Sequence, residues 1–121
     1  MSLFTDIEYF TATIAAGAAL SGPVQLGRKS LVGIVMPAAW TAASLSFQAS
    51  PDGATFDELF YLAALASTAF VITAPGASQF IMLDPTIWRG VDTLKVRSGT
   101  SGSPVNQVAQ AVLTLLARGI T

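Results

Sequence analysis

From Ala43 to Gly53 the chain reads ASLSFQASPDG, a strict alternation of apolar and polar side chains that ends in a turn. Ala43, Leu45, Phe47 and Ala49 fall on one side of an extended backbone and Ser44, Ser46 and Gln48 on the other, because successive side chains of a strand point to opposite faces. A period of two does not suit a helix; it suits a strand buried on one face and wet on the other. Pro51-Asp52-Gly53 then supplies a fixed φ, a side chain able to close an Asx turn, and a residue that accepts φ > 0. The segment predicts an antiparallel β protein.

The rest of the chain extends that expectation. Phe10, Ala12 and Ile14 alternate with Thr11 and Thr13, and Val24 to Leu26 is a short strand closed by Gly27. Leu31 to Met36 is a continuous apolar run ending at Pro37, as expected of a strand covered on both faces, and Pro37-Ala38-Ala39 makes a corner before Trp40. Phe56 to Leu62, Phe70 to Thr73 and Gln79 to Leu83 have the aromatic and β-branched content of further strands. Asp84-Pro85-Thr86 can cap a single helical turn containing Trp88 and stopped by Gly90. Thr93 to Arg97 alternates again, with Leu94 and Val96 inward and Lys95 and Arg97 outward, and Ser98 to Pro104 reads as a loop.

The last segment fits two templates. Val105, Val108, Val112, Leu115 and Leu116 make a helical stripe, whereas Ala109, Ala111, Leu113 and Leu115 make one face of a strand with Gln110 and Thr114 opposite. A strand is the better choice, since a sandwich of seven or eight short strands would otherwise lack a partner. The expected architecture is an all-β, jelly-roll-like antiparallel sandwich over residues 10–121, preceded by an N-terminal arm, residues 1–9.

A chain of 121 residues fits one domain and can bury roughly two-thirds of its unfolded surface. It has no cysteine and no histidine, which excludes a disulfide framework, thiolate chemistry and any imidazole-dependent triad or dyad. Six basic residues against seven acidic ones leave a net charge of -1, without the cationic cluster that a nucleic-acid binder uses to neutralise phosphates. Zinc, which is held mostly by nitrogen and sulfur, is poorly served as well. Asp52, Asp57 and Glu58 are close in sequence, but Asp52 has a turn to close and the others suit a strand entrance; neither a carboxylate pair for catalysis nor a calcium loop is indicated. No catalytic, metal or cofactor-binding residue is therefore expected.

Only 11% of residues are charged while 52% are hydrophobic, so the apolar content exceeds what one small core hides. A membrane span is not expected: the apolar run Leu59 to Ala66 falls short of the ~20 residues a bilayer needs, and Pro75-Gly76 breaks the uncharged stretch beyond it. The start of the chain carries Asp6 and Glu8 and lacks the basic region of a secretory signal. Burial against other subunits is the remaining explanation, since stable interfaces resemble a core cut in half. Leu3, Phe4, Ile7 and Tyr9 in the arm are the candidate interface residues. Arg89, Asp92, Lys95 and Arg97 could form a charged network or a wet strand face, the loop SGTSGSPVNQ offers contacts and no phosphate cradle, and Trp40 with Trp88 could make a stacking platform for a sugar, which an exposed Trp88 or Tyr61 on a concave face would favour.

Three segments, LVGIVMPAAWTAASLSFQASPDG, FIMLDPTIWRGVDTLKVRSGTSGSPVNQ and the closing apolar strand, resemble small β-sandwich structural proteins of tailed bacteriophages and prophages over residues 10–118. Phe47 to Gly53, and Leu94 to Thr100 followed by Asn106-Gln107, carry the resemblance most specifically. It implies a non-enzymatic virion component, such as a capsid decoration protein, head fibre or spike base, that assembles with itself, a trimer among the options, and with other virion proteins. A carbohydrate-binding module of a tail fibre or spike is the alternative. Neither nucleic acid nor membrane is an expected partner.

Overall fold

The computed structural model describes residues 7–119. Its strands are β1 (Ile7–Ile14), β2 (Val24–Gln25), β3 (Lys29–Val35), β4 (Leu45–Ser50), β5 (Asp57–Glu58), β6 (Phe60–Ala63), β7 (Ala66–Ala69), β8 (Val71–Ile72), β9 (Phe80–Met82), β10 (Thr93–Thr100), β11 (Ser103–Pro104) and β12 (Ala111–Gly119). The first sheet has the order β1-β12-β3-β9. In the second, β4 and β10 are central; β5 and β8 flank β4, while β2 and β11 flank β10. All pairings are antiparallel, and β6 with β7 forms a separate hairpin. The fold is an all-β sandwich. No helix among the described residues is long and apolar enough to cross a membrane.

The two sheets meet through the alternation that the sequence displays. Ala12 and Ile14 of β1, Leu31 and Ile34 of β3, and Ala111, Leu113, Leu115 and Ala117 of β12 face Leu45 and Phe47 of β4 and Leu94 and Val96 of β10 in one buried cluster. Across β1 and β12 a small residue meets a large one, with Ala12 opposite Leu113 and Ile14 opposite Ala111, so the layer fills without overpacking. The Asp84 carboxylate accepts hydrogen bonds from the Thr86 N–H and hydroxyl and caps the 3₁₀ turn Pro85–Trp88. That turn drives Trp88 into the core, edge-on to Phe47 at 5.0 Å and Phe70 at 5.4 Å. Burial of each such side chain stabilises the fold by about 2 to 3 kcal/mol before entropy is counted.

Several expectations need adjustment. The first strand starts at Ile7 rather than Phe10, so Ile7 and Tyr9 are sheet residues, paired with Arg118 and Leu116, and not part of an arm; Leu3 and Phe4 lie outside the described residues. The segment from Phe56 to Leu62 divides at Leu59, which turns inward and donates to the Phe47 carbonyl, separating β5 from the β6–β7 hairpin. The stretch from Ser98 to Pro104 is not a loop: β10 runs on to Thr100 and returns through Ser101-Gly102 into β11. The second face of Leu31 to Met36 is covered only in part: Gly33 is buried beneath the Phe80 and Met82 side chains, whereas Val35 is half-buried. The closing segment is a strand with Ala111, Leu113, Leu115 and Ala117 inward.

The largest correction concerns the outer face of β4 and β10. Ser46 and Arg97, expected to be wet, are buried. The Arg97 guanidinium lies across the sheet, donates to Glu58 on β5 at 2.6 Å and to the Ser46 hydroxyl at 3.2 Å, and Ser46 in turn donates to the Gly99 carbonyl at 2.8 Å. One long side chain with its partners thus covers polar surface that alternation assigns to solvent.

Candidate interaction surfaces

Among the described residues, the acidic side chains do not gather into a catalytic or metal site. Asp52 closes the turn after β4, accepting from the Ala54 and Thr55 N–H groups and from the Ser50 hydroxyl. Its carboxyl is held below the usual carboxylate range first by the Ala54 N–H, then by Ser50 and Thr55. Glu58 is committed to Arg97, and Asp57, the preceding strand residue, points to the opposite face. Asp84 is likewise lowered, chiefly by the Thr86 hydroxyl and N–H and less by Arg89. Among the described residues no group of three or more metal-ligating side chains is close enough to share an ion.

The charged network does not form as a unit either. Arg97 joins Glu58, the Lys95 ammonium sits 4.4 Å above the Phe56 ring, and Asp92 accepts from the Thr93 hydroxyl at 2.7 Å. Arg89 is exposed beyond the 3₁₀ turn. These are separate local contacts.

Residues carrying the sequence resemblance have architectural roles. Gly99 occupies φ +92°, and a Cβ there would meet the Ser103 carbonyl, the Val105 nitrogen at 2.7 Å and the Pro104 Cα at 2.9 Å. Gln107, almost fully buried, accepts from the Thr41 N–H at 2.8 Å and donates to the Thr41 carbonyl at 3.0 Å and the Ser98 hydroxyl at 2.7 Å. It joins the segment before β12 to the corner before β4 and to β10. Its pairing across 66 residues leaves no periodic signal in the chain.

Of the sugar-stacking candidates, Trp88 fails on exposure and Trp40 packs partly buried against the core. Trp88 is 0% exposed and cannot offer a ring face to any ligand. Tyr61 is 37% exposed, packs edge-on to Phe70 at 6.0 Å, and borders an open recess of about 450 Å³ with Phe60, Leu62, Asp84, Thr86 and Ile87. The Asp84 carboxylate in that recess is already occupied by the cap.

Two apolar surfaces stand out instead. The first is the outward face of the sheet β1-β12-β3-β9. Strand register aligns Tyr9, Leu116, Gly33 and Met82 in one row, Thr11, Thr114, Val35 and Phe80 in the next, and Thr13 with Val112 in a third. Tyr9 is 68%, Phe80 60% and Met82 69% exposed, and Arg118 beside Ile7 is the single charged residue in these aligned positions. The second is the β6–β7 hairpin, whose turn residues Ala64 and Leu65 both have positive φ, +49° and +68°. Such a turn normally takes Asn-Gly, so an Ala-Leu tip is strained, and Leu65 there is 93% exposed. Ile7 and Tyr9, expected to contact a neighbour, lie on the first surface; Phe80, Met82 and Val112 were not anticipated there, because only strand order places β9 and β12 beside β1.

Fold and surfaces together define an all-β sandwich that presents apolar sheet and hairpin surfaces. Compared with family models, curated proteins and solved structures, the chain has no significant match.

Proposed function

We propose that the chain is a non-enzymatic structural protein of a tailed-bacteriophage virion, a head-attached decoration, head-fibre or spike-base subunit that works by packing apolar faces against its neighbours. The observation that carries the reading is the outward sheet face, on which Tyr9, Phe80 and Met82 are all more than half exposed on strands held rigidly by the core. A face of this kind is costly to leave in water and gains free energy when covered. Small residues around it, Thr11, Thr13 and Thr114, allow close approach of another surface. The resemblance of the Phe47 to Gly53 and Leu94 to Thr100 segments to phage sandwich proteins supplies the class of assembly. The glycan-binding alternative is left with Tyr61 alone.

Deletion of the gene from the phage or prophage that encodes it tests the proposal. Particles from the deletion should lack this chain and lose resistance to heat or low salt, and added purified protein should restore both. Unchanged particle composition and unchanged stability would overturn the assignment.

A further inference from the structure

The geometry points to a second copy of this chain as the occupant of the outward β1-β12-β3-β9 face, related by a two-fold axis that runs along the strands between β12 and β3. The inference deepens the reading of the chain as an assembly subunit by naming its first partner.

The pattern of the face is self-complementary under that operation. An axis lying in the interface and parallel to the strands carries β1 of one copy over β9 of the other and β12 over β3. In the best-defined row, Tyr9 then opposes Met82 of the second copy and Leu116 opposes Gly33, and each contact occurs twice, as an isologous interface requires. Phe80 and Met82 already lie over Gly33, the Phe80 ring 3.1 Å and the Met82 sulfur 3.7 Å from where a Cβ would stand, so Leu116 meets their side chains at the centre, and an aromatic ring meets a thioether at both margins, a favourable pairing. In the next row Thr11 opposes Phe80 and Thr114 opposes Val35. Exposed apolar side chains at both margins, Tyr9 on β1 and Phe80 and Met82 on β9, favour face-on packing, because edge pairing through β1 would leave β9 uncovered.

Charge and area agree. A face without carboxylates, bearing one arginine at its end, has no charge pattern for a different partner to match, whereas it fits its own apolar counterpart. Four strands about 4.8 Å apart, with outward residues over roughly 20 Å of strand, give a footprint of about 400 Å². Two such faces, counted as accessible side-chain surface, remove on the order of 1,000 Å² from water, near the lower limit for a specific interface. The isolated dimer should therefore be of micromolar strength, strengthened by repetition in a larger assembly.

The chain has no cysteine, so introduced thiols give an unambiguous test. Positions 9 and 82 are three strand spacings apart within one copy, about 14 Å, too far for an internal disulfide. Sheets packed face to face lie about 10 Å apart, also beyond a direct disulfide, so a short bifunctional maleimide added to Tyr9→Cys/Met82→Cys should give a covalent dimer joined between positions 9 and 82, and either single variant should give little. Sedimentation of the wild type at tens of micromolar should show a dimer that Phe80→Lys and Tyr9→Lys dissociate at unchanged far-UV circular dichroism. Leu65→Lys in the hairpin should leave it intact. A wild-type monomer, a dimer lost only with Leu65→Lys, or cross-links confined to single variants would each overturn the inference. A dimer through this face in a chain absent from particles would refute the virion assignment alone; a monomer incorporated into particles would refute the two-fold alone.

Discussion

Replacing Gln107 with leucine separates architecture from surface. The side chain is 1% exposed and makes three hydrogen bonds, and leucine has nearly its volume, so the change removes polar pairing without opening a cavity. It strands the Thr41 N–H, the Thr41 carbonyl and the Ser98 hydroxyl. An unpaired buried polar group costs about 1 to 3 kcal/mol. Thr41 is only half-buried and regains some water, whereas Ser98 is fully buried, so the expected loss is about 3 kcal/mol in total. For a domain of this size that is a fall in Tm of roughly 12 °C. Urea unfolding followed by tryptophan fluorescence, at one sub-micromolar protein concentration, reads it directly, with exposed Asn106→Ala as the control expected within about 0.5 kcal/mol of wild type. A loss below about 1 kcal/mol for Gln107→Leu would refute the claim that this glutamine ties the corner before β4 to β10.

Further outcomes rest on the same contacts. Ser46→Lys should destabilise by more than about 3 kcal/mol or prevent folding, because it buries an ammonium beside Arg97, while Gln48→Lys on the same face should stay within about 1 kcal/mol; denaturant midpoints compare them. Gly99→Ala should cost about 3 kcal/mol through both its positive φ and its collision with the β11 backbone, and Gly27→Ala, at φ +67° with open space around it, about 1 kcal/mol. Asp52 contributes stability that is complete above its unfolded pKa of about 3.9 and is lost as pH falls through its lowered folded value, so the gap between wild type and Asp52→Asn should close below about pH 4 in thermal scans.

The inward faces were legible because burial imposes a period of two: Leu45 and Phe47, Leu94 and Val96, and Leu113 and Leu115 all point where alternation puts them. Local chemistry was legible too, as the Ser50 to Gly53 turn and the Asp84 cap show. What alternation cannot register is cover supplied from afar. Ser46 reads as solvent-facing until Arg97 and Glu58, 51 and 39 residues apart from their partners in the chain, are brought over it. Ile7 and Tyr9 read as part of a separate arm because they are apolar on the outward face, and an outward apolar residue carries no inward signal. The interaction surface was foreseen as an excess of apolar residues and at Ile7 and Tyr9; its extent needed the strand order that sets Tyr9, Leu116, Gly33 and Met82 side by side.

The central claim is that the chain is a repeated structural part of a particle, and copy number tests it most directly. Particles purified through a density gradient from an induced culture of the strain that carries the gene can be digested and quantified by mass spectrometry against isotope-labelled peptides of this protein and of the particles' major shell protein. The account predicts many copies per particle, in a fixed ratio to the shell protein that survives a second gradient. Abundance in the lysate with absence from the purified particles would contradict it.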